Sequence, residues 1–264
     1  MDARCLIGLK WGHDEDNLHT RTAWESPLLF LQAFRCKFLA VFDDGLHVRL
    51  RPFGQLGNER HERAAYFRQA VLGLDRNIAQ QIWVRERLVD AQDIKIDTQV
   101  EDFIALYTPV AVDLRFVLAM LKINNDLERI GDYAYSIARF VKETTVQSLD
   151  AGLIEKLQLE RMFAVVLEMM NELQNALMDE NPAKASSVID MDDELDRLKA
   201  ASDSILMDYA KGHLDELPVA MGLGSIFRKL ERTGDHLTNI AEEIVFYIDA
   251  KVLKHNPKKE PEAK

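Results

Sequence analysis

From about residue 58 onward, apolar side chains recur at alternating steps of three and four. Phe116, Met120, Ile123, Leu127, Ile130, Ala134, Ile137 and Val141 form one such run. Ile226, Leu230, Thr233, Leu237, Ile240 and Ile244 form another. That alternation is the seam of helices that pack at shallow crossing angles. Polar punctuation predicts where each helix begins. Asp75 reads as the N-cap of a helix running to about Tyr107. Thr108-Pro109 reads as a cap followed by proline in the first turn, opening a helix to about Glu143. A further helix is expected over residues 152–178. Asn181-Pro182 repeats the cap-then-proline signal for a helix to about Ala210, and Pro218 stands near the start of the last, which ends near Lys251. No strand pattern follows residue 58. The connections are short, as between antiparallel neighbours.

The two seams are related. Leu127-Glu128-Arg129-Ile130-Gly131-Asp132 recurs as Leu230-Glu231-Arg232-Thr233-Gly234-Asp235, 103 residues later. The same offset carries 123, 134, 137 and 141 onto 226, 237, 240 and 244. Two copies of one unit of about three helices are therefore expected, in an all-α fold. Both copies hold a glycine inside the helix, Gly131 and Gly234. Glycine there costs about 1 kcal/mol relative to alanine. Close approach of a second helix is the simpler reason for keeping it.

Residues 1–57 have a different texture. They hold both cysteines, Cys5 and Cys36, two of the three tryptophans and five of the twelve glycines, and their charges cancel. Residues 27–42 read as a short helix and 46–50 as a strand. The chain divides into this atypical N-terminal segment, a first bundle over 58–146, a second over 147–254, and a polar tail at 255–264. The net charge of −11, from 44 acidic and 33 basic residues, lies wholly after residue 57. An acidic surface argues against nucleic-acid binding, which needs cations to neutralise phosphates. Two cysteines with no CxxC exclude a disulfide scaffold and a zinc finger. No apolar run approaches the ~18 residues of a membrane span. With no secretion signal, the expected location is cytoplasmic, peripheral to a membrane at most.

The candidate chemistry lies in paired carboxylates. Glu128 and Asp132 stand four residues apart on one helix face, and Glu231 and Asp235 do the same in the second copy. The preceding helices offer Asp93 with Asp97, and Asp192 with Asp196. Glu86 and Asp90 extend the first stripe. Antiparallel packing is expected to bring four carboxylates of each copy within a few ångströms. A bare cluster repels itself, and a hard cation relieves that. All-oxygen donors suit Mg, Ca or Mn, and iron is possible. Asn239 and Glu243 continue the second stripe as possible further ligands or as a polar rim. His236 reads as surface or interface, and Arg115, Arg129 and Arg232 as partners of neighbouring carboxylates.

The stretch Pro109-Val110-Ala111-Val112-Asp113-Leu114-Arg115, with Lys122-Ile123-Asn124-Asn125-Asp126 leading into the first six-residue motif, resembles the PhoU family. So does Glu231-Arg232-Thr233-Gly234-Asp235-His236 followed by Asn239-Ile240-Ala241-Glu242-Glu243. The resemblance runs over about residues 70–252. It implies two tandem three-helix bundles and metal ions held through a motif written E/D-x-x-x-D. That motif maps onto Asp93/Asp97, Glu128/Asp132, Asp192/Asp196 and Glu231/Asp235. It further implies a non-enzymatic regulator that restrains the phosphate-starvation response through the phosphate ABC transporter and a sensor histidine kinase, with a homodimer as a possible assembly. The N-terminus departs from the family. Arg51-Pro52 and three glycines at 45, 54 and 57 oppose the continuous first helix expected there. A divergent first helix and a shifted reading frame upstream of about residue 60 both account for this.

Two other functions compete. A ferritin-like di-iron enzyme needs Glu-x-x-His pairs facing a bundle core, and the chain contains none. A metal-free helical scaffold fits the heptads equally well. Gly222-Leu223-Gly224 lacks the preceding strand and third glycine of a nucleotide-binding turn.

Overall fold

The computed structural model of the chain describes residues 68–253. The helix expected at 27–42, the strand at 46–50, the N-terminal segment 1–57 and the tail 255–264 lie outside the described residues. A helical stretch at 68–72 leads in. Then come α1 (Arg76–Tyr107), α2 (Ala111–Glu143), α3 (Ala151–Leu157), α4 (Leu159–Met178), α5 (Pro182–Gly212), a 3-10 turn (Leu214–Glu216) and α6 (Leu217–Asp249). The described residues contain no strand.

Local chemistry sets most of these boundaries. The Asp75 carboxylate accepts from the backbone N–H groups of Asn77 and Ile78 at 2.8 and 3.1 Å, so α1 starts where its cap places it. Asn181 accepts from Ala183 and Lys184 at 3.0 and 3.2 Å, with Pro182 opening α5. Pro218 lies in the first turn of α6.

Two boundaries differ from expectation. Thr108 does not cap α2. It adopts φ 43° and ends α1, its N–H bonding to the Ile104 carbonyl, and Val110 precedes α2 without a side-chain cap. The expected single helix at 152–178 is two, because Gln158 turns left-handed at φ 53° between α3 and α4. Leu157 and Leu159 are both buried. Residues two apart point about 200° from each other on one helix, so only a break lets both face the core.

α1 packs on α2 as one hairpin. In the second bundle α4, α5 and α6 all touch one another, and α2 packs on α6 across the boundary. Of the first seam, all but the half-buried Phe116 are buried, and every residue of the second is buried. Each such aliphatic side chain contributes about 2 kcal/mol when fully removed from water. One apolar cluster runs through both halves. At the far end of the first hairpin, Trp83 meets Tyr135 edge-on at 5.6 Å, and Lys142 lies over the Trp83 ring. Between α4 and α5, Arg161 makes a two-pronged bond to Glu194 at 2.7 and 2.8 Å, which holds the Glu194 carboxyl below its ordinary range.

Candidate metal-binding faces and the joint between the repeats

In the second bundle α5 crosses α6 at Gly234. A Cβ on Gly234 would stand 2.4 Å from Leu195 Cδ1 and 2.6 Å from Asp192 Oδ1. Helix approach therefore explains this glycine. Asp192 lies at the crossing and is 4 % exposed. Glu231, Asp196 and Asp235 lie on the outer side of it. The Glu231 carboxyl is raised above its ordinary value, first by burial and then by the charges of Asp235 and Asp196; Arg232 and Lys199 act in the opposite direction. Three of the four expected carboxylates thus feel one another, and the fourth is folded into the helix contact.

The first bundle arranges its set differently. Asn124 is buried on α2 and donates to Asp97 Oδ1 at 2.9 Å and to the Asp93 carbonyl at 3.3 Å. Arg129 stands between the other two, with Nε 3.4 Å from Glu128 and Nη1 3.2 Å from Asp132. A guanidinium already supplies the positive charge that a cation would bring. Among the described residues, no three His, Cys, Asp or Glu side chains converge closely enough to enclose an ion. The close clusters of four are therefore open faces in this structure: Asp192 is turned into a helix crossing, Asp97 toward Asn124, and Glu128 and Asp132 toward Arg129. Of the other two arginines, Arg232 is exposed, and Arg115 has a buried Nε with no hydrogen-bond partner among the described residues.

The residues expected to extend the second stripe face elsewhere. Glu243 is buried and pairs with Lys122 of α2 at 3.0 and 3.1 Å. Asn239 donates to Asp126 at 3.3 Å, and His236 Nδ1 lies 2.7 Å from the same oxygen. These residues join the bundles and are not an extension of the acidic face. His236 is an interface residue; its Nε2 lies 3.4 Å from the Tyr133 hydroxyl. Tyr133 and His236 are 103 positions apart, the offset of the duplication, so equivalent positions meet each other. α2 and α6 are thus related by a local pseudo-two-fold axis near that contact. Sequence reasoning missed this joint, although the offset linking Tyr133 to His236 was there to be used.

The PhoU domain, as a family, matches two stretches of this chain, residues 55–141 and 159–244. The chain belongs to the PhoU family. Its first PhoU domain begins just inside the segment set apart by composition. A phosphate-specific transport system accessory protein PhoU homolog from Deinococcus radiodurans is 34 % identical over 164 residues, 62 % of this chain and 75 % of that one. A protein of the same description from Zymomonas mobilis is 33 % identical over 185 residues, 70 % and 77 % of the two chains. The fold matches the crystal structure of PhoU from Pseudomonas aeruginosa with a TM-score of 0.67 at 24 % identity, covering 85 % of this chain and 99 % of that one. The phosphate transport system regulatory protein PhoU from Streptococcus pneumoniae matches at 0.66 and 23 %, covering 86 % and 99 %. In PhoU-repeat terms α2 and α6 are equivalent helices. By the same offset Asp93 corresponds to Asp196, whereas Asp97 corresponds to Ala200 and Asp192 to Val89. The two acidic faces thus share three carboxylate positions and differ in the fourth.

Proposed function

We propose that this chain is a non-enzymatic regulatory accessory protein of phosphate-specific transport. It restrains the phosphate-starvation response by contacting the phosphate ABC transporter and a sensor histidine kinase. The observation that supports this reading is the pair of PhoU domains on one continuous core, shared with relatives described as accessory proteins of that transport system. No helix of the described residues is long and apolar enough to cross a membrane.

A cation belongs to this proposal on the second bundle. Asp196, Glu231 and Asp235 are all-oxygen donors from two adjacent helices, and Glu231 is raised by burial and then by the charges of the other two. That donor chemistry fits a hard divalent ion such as Mg or Mn, or iron. When bound, the ion supplies the positive charge that removes the repulsion. Asp192 lies beneath this face, buried at the crossing beside Gly234. Asp93, Asp97, Glu128 and Asp132 form the weaker counterpart, because Arg129 already neutralises its own two.

The test is a starvation-response reporter in phosphate-replete cells lacking their own PhoU-family protein. Introducing this chain is expected to silence the reporter. A reporter that stays on, with the chain expressed and folded, overturns the regulatory reading. Metal content of the purified chain, with and without E231A/D235A, tests the cation separately. Content unchanged by the double substitution removes the site.

A further inference from the structure

The pseudo-two-fold joint between α2 and α6 has two ends, and they carry opposite charge. At one end Asp126 takes His236 and Asn239, while Lys122 pairs with buried Glu243 and lies 5.5 Å from the Phe246 ring. The offset of 103 carries this set onto the other end position by position. Asp126 becomes Lys229, Asn239 becomes Ser136, and Lys122 becomes Ser225. Glu243 becomes Phe140 and Phe246 becomes Glu143. The ion pair, carboxylate, amide and ring of the first end give way to two hydroxyls, an ammonium, a carboxylate and the Phe140 ring.

This end of the joint lines a cavity of about 410 Å³. Its wall includes Ser136, Arg139, Glu143, Thr144, Ser225 and Lys229. Lys229 Nζ donates to Ser225 Oγ at 2.5 Å. Burial first, and then the positive charges of Arg228 and Arg139, push the Lys229 ammonium below its ordinary range. Glu143 is the one carboxylate in the wall. It is well exposed and only 4.0 Å from Arg139, an arrangement that binds neither side chain strongly. Arg76 reaches the rim, donating to the Thr144 carbonyl at 2.8 Å. On the opposite wall a Cβ at Gly222 would stand 2.0 Å from the Phe140 ring, so the ring closes that side.

A half-buried ammonium, a guanidinium and serine hydroxyls around one cavity are the donor set for a small oxyanion. Donors are present in excess, and the equivalent acceptor at the other end, Asp126, is here a lysine. We propose that this cleft binds a phosphate group, held by Lys229 and Arg139 with hydroxyl bonds from Ser136 and Ser225. Two sources share that chemistry: the free inorganic ion, and the phosphomonoester of a larger molecule, for which the cavity has room. The inference stands on the joint's geometry and is independent of the regulatory reading.

The experiment is calorimetric titration of the full chain in excess chelator, so that no metal carries the anion. The probes are inorganic phosphate, sulfate and adenosine 5′-monophosphate. One equivalent of phosphate or of the monophosphate is expected to bind. K229Q should weaken binding about ten-fold or more, K229R should retain most of it, and R139Q should weaken it by a smaller factor. D235N, on the distant acidic face, should leave it unchanged. Tighter binding of the monophosphate than of phosphate identifies the esterified source, and the reverse order identifies the free ion. No binding of any probe overturns the proposal. So does K229Q, or R139Q where K229Q fails to fold, binding as tightly as the parent.

Discussion

Replacing Gly234 by alanine tests the helix crossing beneath the acidic face. The added methyl would stand 2.4 Å from Leu195 Cδ1 and 2.6 Å from Asp192 Oδ1. Two effects oppose each other. Alanine gains about 1 kcal/mol of helix propensity over glycine. Overpacking a dense contact costs about 1–3 kcal/mol. Leu195 is fully buried and Asp192 nearly so, which leaves both neighbours little space to retreat. The upper part of the cost applies, and the expected net loss is about 1–2 kcal/mol. Urea unfolding followed by far-ultraviolet circular dichroism reads it as a lower midpoint at unchanged slope. Gly212→Ala is the internal control, since a Cβ there meets nothing within 4 Å. That variant is expected to be neutral or slightly more stable. If Gly234→Ala were stabilised as well, close approach would not be why the second repeat keeps its glycine.

Other substitutions probe the joint, the acidic face and the caps. K122A strips the counter-charge from a Glu243 side chain that is 3 % exposed, and should cost about 3 kcal/mol in the same urea assay, with K122M/E243L recovering most of it. Glu231 binds its proton more tightly folded than unfolded, so its contribution to stability declines as pH rises from the unfolded pKa through the raised folded one. E231Q should therefore melt higher than the parent at neutral pH, with the gain vanishing in acid below the ordinary carboxylate range; a gain independent of pH would count against the cause given. Glu194 has the opposite sign: its depressed carboxyl adds stability above the unfolded pKa that is lost as pH falls through the folded one, and R161M should abolish that dependence. Asn181→Ala removes two capping bonds from α5 and should cost about 1 kcal/mol by chemical unfolding.

What the sequence disclosed follows the range of the interactions involved. Asp75 and Asn181 cap N–H groups two and three residues away, so their helices start where short-range reading puts them. The seams were legible because burial repeats with the helix period. Thr108 was misread because a threonine before proline serves either end of a helix, and here the chain takes the left-handed turn that closes α1. The step of two from Leu157 to Leu159 breaks the three-four rhythm and marks the α3–α4 kink, a cue available without any structure. The acidic stripes were visible as stripes. Their closure was not, because it depends on Arg129 and Asn124 taking carboxylates that spacing alone assigns to a cation. Asn239 and Glu243 share the stripe's spacing yet face the other repeat, since a helix in a bundle has neighbours on more than one side.

Duplication also explains where asymmetry is tolerated. A seam position is buried in both copies, and 123, 127, 134, 137 and 141 stay apolar at 226, 230, 237, 240 and 244; the exception, Ile130 to Thr233, meets its hydroxyl's need locally by donating to the Lys229 carbonyl. A polar position at the joint is used once on each side of the axis. Its two copies meet different partners and are free to diverge. The divergence from Asp126 to Lys229, and from Glu243 to Phe140, turns one end of the joint into a closed ion-pair network and the other into a basic cavity. The outer faces differ as well: Arg129 reaches both Glu128 and Asp132, whereas burial and the charges of Asp235 and Asp196 raise Glu231 despite the opposing charge of Arg232. In a duplicated helical protein, then, the offset that locates the core by its matches locates the specialised sites by its mismatches.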